Sequence, residues 1–175
     1  FKQKTAYEIS TRDWSSDVCS SDLKVVLHTH QPWATALNML TQNRLLAASQ
    51  TAAFFHNRIA YDDHYQGLAK TMDEGERLAG LLQGKQVMFL KNHGVITVGH
   101  TVAQAYRRLY KLEKACQTQV LAMSTGQPLE VMSDAVIEEV LQRSPLDRHP
   151  IGERERLYFE AMMRVLDRVN PGYAD

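Results

Sequence analysis

The fold is decided by the stretch VVLHTHQPWATAL at residues 25–37 and by the stretch LKNHGVITVGHTVAQAY at residues 90–106. The first opens with an apolar, β-branched run that is typical of a strand, and Pro32 stands where the first turn of a following helix accepts proline. In the second, two apolar runs flank Lys91–Asn92–His93–Gly94, which predicts two strands with His93 at a strand end or in the turn between them. Both stretches therefore place histidine where a strand ends.

Helical patterns dominate the rest of the chain. Thr71 with Glu74 and Thr101 with Gln104 match the capping box, in which two side chains satisfy backbone groups at the start of a helix. Helices are predicted at residues 34–40, 49–56, 72–82, 135–141 and 153–169, with a longer one running from Thr101 to the stop signals Gly126 and Pro128. This order of strands and helices predicts a layered α/β domain with helices packed on a sheet.

The composition describes one ordinary globular domain. The 175 residues carry 20 Lys and Arg against 20 Asp and Glu, so no basic surface for nucleic acid is indicated. No stretch approaches the roughly 20 apolar residues of a membrane-spanning helix, and the N-terminus lacks the apolar core of a secretory signal. The two cysteines, Cys19 and Cys116, cannot form a dense disulfide framework. We therefore expect a cytoplasmic protein without nucleic-acid or membrane partners.

The first 23 residues, FKQKTAYEISTRDWSSDVCSSDL, show neither a helical nor a strand period. Residues 2–8 and 13–22 can be back-translated, in one frame and in the right order, into DNA that resembles the adapter of short-read sequencing libraries. We expect residues 1–23 to be a foreign segment, residues 24–175 to form the domain, and the natural sequence upstream of Lys24 to be missing. A disordered terminal tail is the alternative interpretation.

Three histidines could form a metal site. Residues two apart on a strand face the same side, so His28 and His30 can converge on one ion. A third imidazole is needed, and His93 at a second strand end is the best-placed one, because Gly94 beside it lets backbone pass close to the site. Incidental histidines of an α/β domain are the alternative, because histidines at strand ends are often surface groups.

These two motifs resemble the His-x-His and His-Gly segments of class II aldolases, and the tail LYFEAMMRVLDRVNPGY at residues 157–173 is similar to the C-terminal helix of adducin-like members. The resemblance implies a three-layer α/β/α class II aldolase-like domain, incomplete at its N-terminus, in an assembly that we expect to be a homo-oligomer. It assigns His28, His30 and His93 as ligands of Zn²⁺ or of another divalent cation such as Mn²⁺. Three imidazoles on zinc leave an open position, as in catalytic sites.

The resemblance implies a lyase or epimerase that acts through an enediolate on a small hydroxy-carbonyl compound, a sugar phosphate being one candidate. The ligands identify this type of mechanism and leave aldol cleavage, epimerisation and decarboxylation open. A non-catalytic, adducin-like interaction module is the alternative function. Retention of all three histidines favours the enzyme, because a scaffold does not need three imidazoles together.

Two departures from the family pattern concern catalysis. The family's catalytic acid and phosphate-holding loops lie upstream of the His-x-His segment, and Ser49–Gln50 stands near a position where its sugar-phosphate aldolases have a functional tyrosine. The remaining catalytic candidates are Asp62, Asp63 and Tyr173. Residues 61–64 are nevertheless interpreted as a solvated polar loop between helices, and Tyr173 as part of a terminus that frays by default.

Overall fold

The computed structural model describes residues 24–64, 72–143 and 152–174 of the protein. Its strands are β1 at Val25–Thr29, β2 at Ile59–Asp62, β3 at Val87–Leu90 and β4 at Gly94–Gly99. They form one sheet in the order β1–β4–β3–β2. β4 is antiparallel to both β1 and β3, whereas β2 is parallel to β3. The strands β3 and β4 therefore lie at the centre of this sheet.

Helices begin where the sequence offers them caps. The helices are α1 at Pro32–Asn38, α2 at Gln50–Ala53, α3 at Met72–Leu82, α4 at Val102–Met123, α5 at Asp134–Gln142 and α6 at Glu153–Val169. The side chains of Ser49, Thr101 and Ser133 each accept a backbone N–H at the start of α2, α4 and α5. The Gln104 side chain also accepts the backbone N–H of His100, one residue before the Thr101 N–H that a capping box would use.

Both faces of the sheet are covered. One face packs against α1, α2 and α4 in a core that contains Phe89 and Leu112. The opposite face packs against α3, where Met88 and Ile96 meet Leu82. Strands covered on both sides appear in a sequence as continuous apolar runs, as β3 does. The three-layer α/β/α prediction is therefore confirmed.

Most of the predicted strands and helices are confirmed within a few residues, but the prediction of a loop at residues 61–64 is wrong for its first two residues. Tyr61 and Asp62 belong to β2, which pairs with β3, and are not part of a loop between helices. Asp62 is buried, and its two carboxylate oxygens accept hydrogen bonds from Arg77 at 3.0 and 2.6 Å. An ion pair supplied from α3 therefore allows a charged residue inside the sheet, and sequence periodicity cannot show this.

The strand β1 borders the sheet on one side of the described residues. It pairs only with β4 there, and the Val26 side chain remains 42% exposed on the face that carries α3. A free strand edge beside apolar surface is a site where chains tend to associate.

Residues 1–23, Thr71 and its predicted capping role all lie outside the described part of the chain. None of the helices described there is long and apolar enough to cross a membrane.

Candidate metal centre

The three predicted histidines meet at one edge of the sheet. His28 lies near the end of β1, His30 follows directly after that strand, and His93 lies in the turn between β3 and β4. Because Thr29 pairs with Val95, the end of β1 lies beside the start of β4 and next to this turn. One potential ligand atom from each imidazole lies within 4.8 Å of the other two, and the ring centroids are 4.7 to 4.9 Å apart. We call these residues the histidine triad.

The His28 ring has the orientation that a metal ligand needs. Its Nδ1 lies 3.1 Å from the carbonyl oxygen of Val95, which can only accept, so Nδ1 carries the proton and the Nε2 lone pair is free. Hydrogen bonds of this kind commonly fix the tautomer of metal-binding histidines. The Nε2 atoms of His28 and His30 are 3.1 Å apart. Two nitrogens bound to one tetrahedral zinc at about 2.0–2.1 Å are about 3.3 Å apart, so the pair fits a shared ion.

The surroundings of His28 and His93 favour the neutral form of these two imidazoles. Burial lowers the pKa of His28, and the neighbouring His93 and His30 lower it further against the opposing effect of the Val95 hydrogen bond. Burial likewise lowers the pKa of His93, with a smaller contribution from His30. The neutral imidazole is the form that binds a metal ion. The lowered pKa values of His28 and His93 therefore favour metal binding by these two residues.

The turn that carries His93 is held from beneath by a residue that the sequence analysis did not single out. Asn38, at the end of α1, is fully buried, and its side-chain amide donates to the carbonyl oxygens of Leu90 and, at 3.0 Å, of Gly94. The backbone N–H of Asn92 donates to the Asn38 carbonyl at 3.4 Å. Asn92 itself has a φ of 55°, which asparagine tolerates better than most residues. These contacts fix both ends of the turn and hence the position of His93.

The start of α1, directly after His30, is held by a second residue that was missed. The carboxylate of Glu113 on α4 accepts the backbone N–H groups of Trp33 and Ala34, both at 2.9 Å. A carboxylate at a helix N-terminus satisfies free donors and complements the helix dipole. Gln31 occupies the N-cap position of α1 and makes no side-chain cap, so the free N–H groups of the first turn need another acceptor. A glutamine at this position was the one sign in the sequence that a distant residue supplies that acceptor.

The two aspartates proposed as catalytic candidates are both held by arginines. Asp62 is paired with Arg77, and Asp63 accepts hydrogen bonds from Arg44 at 3.0 and 2.6 Å. The hydrogen bonds from Arg44 hold the pKa of Asp63 below its ordinary value, which weakens it as a base. Asp63 and Arg44 line a cleft of about 830 Å³. Both carboxylates therefore serve here as acceptors in ion pairs.

Two further residues considered from the sequence also have defined positions. Tyr173 lies in a short 3₁₀ helix at Pro171–Ala174, is 40% exposed, and its hydroxyl donates to Asp167 at 3.1 Å. Cys116 lies on the buried face of α4, and this burial strongly raises the pKa of its thiol. A buried thiol of this kind is a core group rather than a nucleophile.

Comparison with known proteins identifies relatives of this site and fold. The family described as "Class II Aldolase and Adducin N-terminal domain" matches residues 19–120, more than half of the chain. The match begins within the first 23 residues, so a domain boundary at Lys24 stays a prediction. An aldolase class 2 protein of Caulobacter vibrioides is 33% identical over 155 residues, which cover 88% of this chain and 58% of that protein.

Solved structures give the same relationship. An aldolase II superfamily protein from Pseudomonas syringae superposes with a TM-score of 0.75 at 35% identity, covering 88% of this chain and 60% of that one. L-fuculose 1-phosphate aldolase from Glaciozyma antarctica shares the fold with a TM-score of 0.63 at 24% identity, covering 86% of this chain and 54% of that one. The chain thus spans about three fifths of the length of its first relatives. It belongs to the class II aldolase and adducin family.

Proposed function

We propose that the protein is a divalent-metal-dependent lyase or epimerase and that His28, His30 and His93 hold the ion, Zn²⁺ or another divalent cation such as Mn²⁺. The observation that carries this proposal is the approach of three imidazole nitrogens to within 4.8 Å at one edge of the sheet. Membership of the class II aldolase family supports the same assignment. The residues fit the ion, because neutral imidazoles at this separation are the ligand set of catalytic zinc.

The chemistry that a bound divalent ion supplies is Lewis acidity, which stabilises an enediolate and so serves aldol cleavage, epimerisation and decarboxylation alike. The chain's own residues would hold the ligands in place. Val95 fixes the tautomer of His28, Asn38 fixes the turn that bears His93, and Glu113 anchors the helix after His30. The proposed substrate is a small hydroxy-carbonyl compound, with sugar phosphates among the candidates. A proton donor or acceptor for the reaction is expected upstream of the domain at residues 24–175.

The proposal also covers the location, the assembly and the partners of the enzyme. We propose a cytoplasmic homo-oligomer without nucleic-acid or membrane partners, and the balance of 20 Lys and Arg against 20 Asp and Glu supports the absence of such partners. Among the described strands β1 pairs only with β4, and this edge and the exposed Val26 support association between copies. The second candidate function is a non-catalytic interaction module, which the adducin part of the family favours. The triad argues against it, because such a module gains nothing from three converging imidazoles.

The test of the proposed function uses acetohydroxamate, whose two oxygens chelate a metal ion as a hydroxy-carbonyl compound would. Titration calorimetry on zinc-loaded protein should give binding at least about tenfold tighter than on chelator-treated protein, because only the loaded site offers open coordination positions. Acetamide, which does not chelate, serves as the control and should bind neither form. The probe does not depend on a catalytic acid, so it tests the metal site alone. Equal hydroxamate affinity in the two preparations would favour the interaction module.

A further inference from the structure

A second cavity lies away from the histidine triad, and four of its nine lining residues carry a positive charge. Its volume is about 120 Å³, and it lies between the segment after α2, the first half of α4 and the start of α6. Its charged lining residues are Arg58, Arg107, Arg108, Lys111 and Glu155. Four cations thus face one carboxylate. We call this cavity the basic pocket.

The contacts within the basic pocket leave most of this charge unbalanced. Arg107 lies 4.0 Å from Glu155, a distance at the limit of an ion pair. Arg108 donates to the carbonyl of Val98, and the Lys111 ammonium lies 4.6 Å from the centroid of the Phe54 ring. Within the described ranges, Arg58, Arg108 and Lys111 have no carboxylate within 4.0 Å.

The cations are also partly removed from water and close to one another. Burial lowers the pKa of Lys111, and Arg107 and Arg154 lower it further against the smaller opposing effect of Glu155. Burial is also the main cause that lowers the pKa of Arg108; Glu155 opposes this, and Arg58 adds to it. Like charges held together away from solvent repel one another, and water screens them less than at an exposed surface. A bound anion relieves both the repulsion and the lost hydration.

We propose that the basic pocket binds the phosphate group of a small molecule. Guanidinium groups match phosphate oxygens with parallel N–H donors, and a dianion offsets most of the excess positive charge. The cavity is far smaller than the roughly 300–1,000 Å³ of sites for drug-sized ligands. It therefore suits a single phosphate group whose remainder, in an ester, extends into solvent.

This site is separate from the proposed metal centre. Arg58 and Gln86 precede β2 and β3, so the basic pocket lies at the starting end of these strands. The triad lies at the other end of β3, on the order of 10 Å away along the strand. The two sites can therefore be altered independently.

An anion in the basic pocket would join three parts of the fold. None of the residues of α6 is fully buried, and the helix contacts α4 through partly exposed pairs such as Tyr106 with Phe159. Glu155 on α6 and Lys111 on α4 line the same cavity. Anion binding should thus hold α6 against α4, and it should raise the thermal stability of the protein by mass action.

The test compares inorganic phosphate with chloride at equal ionic strength, using calorimetric titration and thermal unfolding of the whole chain. Phosphate should bind and raise Tm, and Lys111→Met should weaken its binding at least about tenfold, the value of one charge-assisted hydrogen bond. Lys114→Met, at an exposed position of α4 outside the pocket, should leave binding unchanged. Glu155→Gln should tighten binding, because it removes the carboxylate that competes with the anion.

The outcomes are distinct. Equal Tm values in phosphate and chloride, or equal losses of binding in Lys111→Met and Lys114→Met, would overturn the proposal. If Lys111→Met does not fold, Arg58→Gln provides the same test from the other side of the pocket. A parallel titration with glycerol phosphate identifies the occupant: tighter binding than inorganic phosphate indicates an ester, and weaker binding indicates the free ion. Binding of neither overturns the proposal.

Discussion

Replacing His93 with alanine should lower zinc affinity by more than about 100-fold, because it removes one of three proposed ligands. Loss of a residue that only hydrogen-bonds to a metal ligand already lowers metal affinity by about 10–100-fold. The other two imidazoles, two residues apart on one strand end, cannot complete a zinc site by themselves. The measurement is zinc content by elemental analysis after dialysis against a weak chelator, together with direct titration. Wild type should retain about one zinc per chain, as expected for a single site.

The matched control for this variant is His100→Ala. His100 is an exposed histidine in the turn before α4, and its backbone N–H donates to the Gln104 side chain. The control should retain zinc as wild type does. Equal zinc content in wild type and His93→Ala would mean that the ion binds elsewhere, and the assignment of the triad would then be wrong.

Replacing Gly94 with alanine should destroy the same metal site although none of the three proposed ligands is substituted. A Cβ at this position would lie 2.5 Å from the backbone oxygen of Thr29, 2.6 Å from Cδ2 of His30 and 3.2 Å from Cε1 of His28. The Thr29 oxygen belongs to a strand paired with β4, so it cannot move without disturbing the sheet. We expect a loss of about 3 kcal/mol in the free energy of unfolding, at the upper end of overpacking effects, and a zinc affinity at least about 100-fold lower.

Gly80→Ala is the control for the glycine variant. Gly80 lies within α3, and a Cβ there meets no atom within 4 Å. Alanine is favoured over glycine in a helix by roughly 0.5–1 kcal/mol, so this control should be neutral or slightly more stable. Chemical denaturation measures the stability of both variants. A Gly94→Ala protein with the stability and zinc content of wild type would show that β1 and β4 approach less closely than described.

Local signals explain why so much of the fold could be predicted. Thr101 and Ser133 lie at the ends of apolar periods, and each caps the helix that follows. Strand alternation alone places His28 and His30 on one side, and the turn residues around His93 indicate a second strand end. These features depend on neighbours within a few residues, which the sequence displays directly.

The parts that could not be predicted depend on partners far away in sequence. Asp62 favours a loop by residue type, and only its ion pair with Arg77 explains its place inside the sheet. Glu113 accepts from Trp33 across 80 positions, and Asn38 reaches Gly94 across 56. The basic pocket likewise combines residues of α4, of α6 and of the segment after α2. The pattern of a single sequence gives no signal for such long-range pairs, because the type of a side chain does not identify the residue that it contacts.

The proposed metal site is tested most directly by anomalous diffraction at the zinc edge from crystals of the protein grown with one equivalent of zinc. We expect a single strong peak about 2.0–2.1 Å from one imidazole nitrogen each of His28, His30 and His93. The nitrogen on His28 should be Nε2, because its Nδ1 is bound to the Val95 carbonyl. No peak at the triad, or a zinc ion held by other residues, would contradict this expectation.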